Sequence, residues 1–265
     1  MQPLLDQYQS LENILIGLGL LMVRMLVAFS FLPFFAPKVV PLSIRIAFVA
    51  GLSLCLLPLL QSQMPLLQSD WHVLLPCLLK EAALGAVLGL LTSLTFWALH
   101  AAGTIIEYQA GLTMCVVVDP LSGEENSLIG SLLMQLLTVF FFISGGLLQL
   151  IDMLFESYRV WPVDKMIPIV GNLKLATLIV HAITEMIELV VKIAAPFVIL
   201  MLIAELALGL LSRFAPQLNV FFLSMPIKIG ILTVLLLFFC LLLSDGVQVL
   251  PSFLTMNKTL ETILQ

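Results

Sequence analysis

Apolar residues in this chain run in long blocks, without the one-sided stripes or strict alternation of a water-soluble fold. The blocks fall at 13–35, 42–60, 73–100, 128–151, 174–214 and 227–244. A helix needs about 20 mostly apolar residues to cross bilayer hydrocarbon. The pattern therefore predicts an all-α membrane protein of about six long apolar helices. Connections at 36–41, 61–72, 101–127, 152–172 and 215–226 separate the blocks, and an amphipathic tail with Leu260, Ile263 and Leu264 closes the chain. No Gly/Ser linker, low-complexity tract or detached soluble domain interrupts the series, so a single membrane-embedded domain over 1–265 is expected. The first block follows a start with Asp6 and Glu12 but no Lys or Arg, and it is too long for a cleaved signal. It reads as a retained span.

Composition agrees with the pattern. Of 265 residues, 61% are hydrophobic and 10% charged, against about 25% charged in a soluble domain. Mean hydropathy is +1.17. A net charge of −5 carries no nucleic-acid footprint. Cys55, Cys77, Cys115 and Cys240 lie scattered in apolar surroundings without CxxC spacing, which reads as small buried hydrophobes.

Charge does not orient the helices. With the N-terminus outside, Lys38, Arg45 and Arg213 fall on the cytoplasmic side while Arg159, Lys165 and Lys174 fall outside, so the positive-inside rule has no winner. The fifth block is also too long. At 1.5 Å per residue, 174–214 would measure about 60 Å, twice the hydrocarbon thickness. Pro196, near its middle, removes a backbone donor, so a kink or break is expected there.

Four features could carry function. Lys174, His181, Glu185, Glu188 and Lys192 fall within about 60° of helix circumference. Ionisable groups are costly in hydrocarbon, so the stripe predicts a wet or partner-facing side, or else a helix end that protrudes into water. A metal site at His181, Glu185 and Glu188 is the weaker reading, because no second His or Cys completes a ligand set. No metal or cofactor is expected.

The second feature is the connection 101–127, which holds Met114, Cys115, Val116, Val117 and Val118 between Gly111-Leu112 and Asp119-Pro120. Five apolar residues cannot span a membrane. Exposing them to water costs about 1.5–3 kcal/mol per large side chain, and irregular backbone cannot face lipid. The segment reads as a re-entrant lid or plug over 108–122, against the plainer alternative of a core-packed loop. Ser122-Gly123-Glu124-Glu125 fits a capping box for the fourth helix.

The third is Gly85-x-x-x-Gly89 in an apolar helix, which allows close helix–helix approach. The fourth is the tract from Glu205 to Lys228, with Arg213 near a helix C-terminus and Pro216 and Pro226 as punctuation. Arg24 lies mid-span in the first block and needs an acid, Glu81 or Glu205. The chain has no GxxxxGK[ST], HExxH or GxSxG motif, which leaves ATP binding and common hydrolase chemistry without a seat.

The tract Glu205-Leu-Ala-Leu-Gly209-Leu-Leu-Ser-Arg213-Phe-Ala-Pro216-Gln217-Leu-Asn219-Val-Phe-Phe-Leu-Ser-Met-Pro226-Ile-Lys228 resembles the SctT/FliR family. These are the T-type export-apparatus subunits of bacterial type III secretion systems and their flagellar counterparts. Arg24, Pro33-Phe34, Pro41, Arg45, Glu81, Gly85, Gly89, Gly103, Glu107, Gly111, Asp119-Pro120, Gly145-Gly146, Ser157 and Pro162 stand in the same order. The run from Phe155 to Pro162 leans toward the injectisome branch.

The resemblance implies a non-enzymatic pore subunit with an R-like portion, 13–172, followed by an S-like helical hairpin and tail, 173–265. R-type, S-type and U-type membrane proteins would be its partners in a helical gate in the inner membrane, raised toward the periplasm, that passes unfolded protein substrates. The stretch from Gly111 to Pro120 matches the family's plug. Arg24, Glu81, Gly85, Gly89, His181, Glu185, Glu188, Lys192, Glu205, Arg213 and Lys228 would line the pore or meet neighbouring subunits. Membrane lipid is a further partner, and nucleic acid is not. The alternative reading is a multi-pass secondary transporter that uses the charged stripe as an ion or proton relay, which would call for an internal repeat that the chain does not convincingly carry.

Overall fold

A computed structural model describes residues 2–60, 71–112, 127–163, 173–215 and 220–245. Every long element among them is helical: α1 (Gln2–Ser30), α2 (Leu42–Leu60), α3 (Trp71–Ala110), α4 (Leu128–Ile143), α5 (Gly146–Val160), α6 (Leu173–Phe214) and α7 (Val220–Asp245), with a short 3-10 turn at Pro33–Phe35. The all-α membrane class holds. Among the described residues three helices are long and apolar enough to cross a membrane, Leu74–Ala110, Ile179–Phe214 and Phe222–Leu241, and the bent pair α4–α5 makes a fourth when counted as one span.

Three boundaries differ from the sequence expectation. The fourth block is two helices. Ser144 closes α4, its N–H donating to the Phe140 carbonyl at 2.9 Å. Gly145 then turns the chain at φ 77°, a left-handed conformation that glycine adopts without a Cβ penalty. The third helix continues to Ala110, so 101–110 belongs to α3 and Tyr108–Ala110, expected within the 108–122 loop, are helical. Small and apolar residues there (Ala102, Gly103, Ile106 and Ala110) continue the buried face. The fifth block is not broken near Pro196, since α6 runs through it as one element. Proline removes one donor, while Ile193, Ala194, Phe197 and Met201 around it are buried on one face and hold the helix on.

The chain folds as two compact units. The first holds α1, α2, α3 as far as Ser93, α5 and the first turns of α6. Its core interleaves Leu20, Leu21, Met25, Ala28 and Phe29 of α1 with Leu84 and Leu88 of α3 and Met153 and Leu154 of α5. These are helical i, i+3, i+4, i+7 spacings. Phe29 meets Phe48 of α2 edge-on at 5.5 Å, and Phe35 packs tilted against it at 5.3 Å.

The second unit holds α3 from Leu94, α4, α6 from Val180 and α7. Phe96 meets Phe141 edge-on at 5.5 Å, and Phe197 meets Phe239 at 6.2 Å. Most of α7 remains exposed, including Phe222, Val234, Leu237, Phe238 and Leu241. The stretch 177–189 of α6 has no buried side chain among those described.

Candidate functional site

In the first unit the two glycines of α3 decide how close α1 can come. A Cβ on Gly85 would overlap the Arg24 carbonyl oxygen, and one on Gly89 would stand 2.6 Å from the Ala28 carbonyl oxygen. This contact seats Arg24 over the turn of α3 that carries Lys80 and Glu81. Arg24 Nε donates to Glu81 Oε2 at 2.7 Å, and both side chains are 0% exposed. Nη1 donates to Ser157 Oγ at 3.1 Å and Nη2 to the Trp161 carbonyl at 2.9 Å. The guanidinium also lies 4.1 Å from the centre of the Tyr158 ring, a cation–π distance, and the Tyr158 hydroxyl donates to the Leu21 carbonyl at 2.7 Å.

Lys80 completes the cluster. Its Nζ donates to the carbonyls of Pro162 at 3.1 Å and Val163 at 2.8 Å and stands 3.0 Å from Glu81 Oε1. That oxygen accepts no hydrogen bond, so ion pairing alone meets its charge. Two cations face one carboxylate. Three consecutive carbonyls, 161 to 163, follow the C-terminus of α5, where the helix dipole favours positive charge, and they take up the excess. The cluster thus joins α1 and α3 to the exit of α5.

In the second unit a similar device closes the base of the 113–126 connection. Gly103 and Gly130 bring α3 and α4 into backbone contact, since a Cβ on Gly130 would lie 2.7 Å from the His100 carbonyl oxygen. Glu107, buried one turn on, accepts from the Ser127 hydroxyl and from the Ile129 N–H at 3.1 Å. Ser127 is the N-cap of α4 and accepts from the Gly130 N–H at 2.9 Å. The carboxylate therefore sits at the positive end of α4. At the other end of the connection Gly111, at φ 79°, stops α3. Both ends of the connection are tied.

The expected outcome of Ser127→Ala is a loss of about 1 kcal/mol in stability. Glu107→Ala should lose about 1–3 kcal/mol by orphaning buried donors. Thermal unfolding of the purified chain measures both losses. Hydrogen exchange should show faster exchange at the first turn of α4 than in wild type, with α7 unchanged.

A third tie joins α6 to α7. Lys228 Nζ lies 2.9 Å from Glu205 Oε2, with Gln109 of α3 donating to the same oxygen at 3.4 Å. Of the two acids considered for Arg24, Glu81 is therefore its partner and Glu205 belongs to Lys228. The stripe on α6 resolves into exposed pairs: His181 Nε2 lies 3.2 Å from Glu185 Oε1, and Lys192 forms an ion pair with Glu188 at 2.8 Å. Arg213 is exposed in the last turn of α6.

Gly111 and Leu112 are half-buried. Met114 to Pro120, the capping box Ser122–Glu125, Lys165, Pro216, the tail residues Leu260, Ile263 and Leu264, and the Lys174 side chain lie outside the described residues. Cys55, Cys77 and Cys240 are free thiols, Cys55 exposed. Among the described residues no group of three or more His, Cys, Asp or Glu side chains could hold a metal ion.

Sequence reasoning passed over Lys80, Tyr158 and Trp161. Lys80 carried a signal: a Lys-Glu pair inside an apolar helix needs partners for both charges. Tyr158 and Trp161 carried none, because their role depends on where α5 ends against α1.

Long apolar helices, with buried charges that tie helix to helix, define a helical membrane protein whose polar groups hold its shape. The sequence profile described as "Bacterial export proteins, family 1" matches residues 15–252, and the chain belongs to that family. It is an export protein and not an enzyme. The chain is 34% identical to Yop proteins translocation protein T of Yersinia pestis over 232 residues, covering 87% of this chain and 88% of that one. It is 33% identical to surface presentation of antigens protein SpaR of Salmonella typhimurium over 242 residues, 91% of this chain and 89% of that one. It is 30% identical to flagellar biosynthetic protein FliR of Bacillus subtilis over 218 residues, 82% and 83% of the two chains.

Proposed function

We propose that this chain is a pore subunit of a type III secretion export apparatus in the bacterial inner membrane. It assembles with R-type, S-type and U-type membrane proteins into a gate that passes unfolded protein substrates, and the apolar connection after α3 acts as its plug. The observation that carries the reading is the tied base of that connection. Gly103 against Gly130, and Glu107 on Ser127 and Ile129, hold both ends of an apolar segment that neither lipid nor water accommodates.

Two further features support a multi-subunit gate. The hairpin of α6 and α7 leaves most of its apolar side chains exposed, as an S-like hairpin covered by neighbouring subunits would. The paired charges on α6 lie on this same uncovered stretch, where they would meet partners. The run from Phe155 to Pro162 supports the injectisome branch. The transporter reading loses its ground, because the stripe is a set of exposed pairs on a chain that belongs to an export family.

Replacing Met114–Val118 by Gly and Ser tests the plug. The expected result is a membrane that leaks ions and small solutes while the complex still assembles, read by dye or conductance assays on cells making the variant. A variant that assembles and stays tight would remove the plug assignment.

A further inference from the structure

From 193 to 244 the chain has three charged side chains, Glu205, Arg213 and Lys228. Arg213 is exposed at the end of α6. The other two form the pair that joins α6 to α7. Lys228 is buried, although Leu223, Ile227 and Ile229 beside it are exposed. Apolar residues would join two helices at least as firmly. What the pair adds is direction: it fixes one position of α7 against α6 and leaves a charged acceptor for a third helix. Gln109, in the last turn of α3, uses that acceptor, donating to the oxygen that Lys228 holds. Two residues on, Gly111 ends α3 at φ 79°, and a Cβ there would lie 3.7 Å from Met225 Cε of α7. Met225 and Lys228 are three residues apart and share a face of α7. The end of α3 therefore meets the hairpin at two places, one polar through Glu205 and one apolar at Met225.

We infer that Gln109, Met225 and Lys228 are positioning residues through which the α6–α7 hairpin sets where the chain leaves α3. Lys228 acts through Glu205: without the cation the carboxylate, half exposed, swings into water and Gln109 loses its acceptor. The consequence rests on the plug reading. The connection that begins after Gly111 starts from a point the hairpin holds, so a displacement of α7 by a neighbouring subunit is passed to the base of the plug. Glu107 and Ser127 fix the far end of the connection to α3, and the hairpin fixes the direction of the near end.

Hydrogen exchange on the full chain in nanodiscs tests the link, comparing wild type, Gln109→Leu, Lys228→Met, Lys228→Arg and the double variant Gln109→Leu, Lys228→Met. Amides at 110–112 should exchange about fivefold faster in Gln109→Leu and in Lys228→Met, the factor that one hydrogen bond contributes. The double variant should be no faster than Lys228→Met, because both changes act through one oxygen of Glu205. Lys228→Arg should restore the wild-type rate, and α5 should be unchanged throughout. Gln109→Leu leaves the ion pair in place, so it decides the matter even if Lys228→Met folds poorly. A pair that serves α6 and α7 alone would speed exchange within the hairpin and leave 110–112 at the wild-type rate. That result, or additive effects in the double variant, would overturn the inference. In cells, Lys228→Met should leak dye while the complex assembles, and Lys228→Arg should stay tight. A tight Lys228→Met beside a leaking Met114–Val118 replacement would overturn the coupling to the plug. If that replacement itself stays tight, the plug reading fails, and the exchange rates still decide whether the hairpin positions the end of α3.

Discussion

Glu81→Ala should destabilise the folded chain by about 3–5 kcal/mol, the cost of leaving a buried charge without its counter-ion. Arg24 is fully buried and Lys80 almost so, and the substitution strands both. Backbone carbonyls, Ser157 and the Tyr158 ring would remain around them, but dipoles and a ring face offset only part of a net charge. Glu81→Gln keeps an acceptor for Arg24 Nε and should lose less. The triple replacement Arg24→Met, Lys80→Met, Glu81→Leu removes the charges together and should recover most of the loss. Thermal unfolding of the full chain in detergent or nanodiscs measures all three. A loss below about 1 kcal/mol for Glu81→Ala would mean that the carbonyls and ring carry the cations unaided.

Gly85→Ala and Gly89→Ala should each destabilise by about 1–3 kcal/mol, and Gly85→Leu should prevent stable folding, because the added atoms meet backbone that no rotamer change can move. The Arg24 and Ala28 carbonyls occupy the space. Moving α1 away to make room would pull Arg24 off Glu81, so overpacking and charge separation compound each other. Gly209 and Gly230 serve as controls. A Cβ at either meets nothing within 4 Å, and alanine is favoured over glycine inside a helix by up to about 1 kcal/mol. The expected sign reverses between the two pairs. If all four alanine variants behave alike, close approach is not what Gly85 and Gly89 provide.

Much of this protein could be read before any coordinates. Block hydrophobicity settled the helical class, because apolar runs of this length have no other stable state in a bilayer. The GxxxG spacing announced a close helix contact, and Arg24 announced a buried acid. The start of α4 at Leu128 was legible too, although its cap is Ser127. The tract from Glu205 to Lys228 by itself resembles an export family.

What escaped the sequence was whatever depends on which helices meet. Pro196 looks like a break, yet neighbouring buried side chains carry α6 through it. Ser144-Gly145 looks like part of a span, yet one left-handed glycine splits it. The sequence by itself determined that these residues live in an apolar medium as helices, and that each deep charge requires a partner. Periodicity and desolvation cost are properties of the local chain. Only the tertiary structure decided that Arg24 takes Glu81, that Lys80 holds the exit of α5, and that Glu107 closes the turn before α4. Those choices depend on backbone approach between residues up to 137 positions apart, and no local pattern encodes that distance.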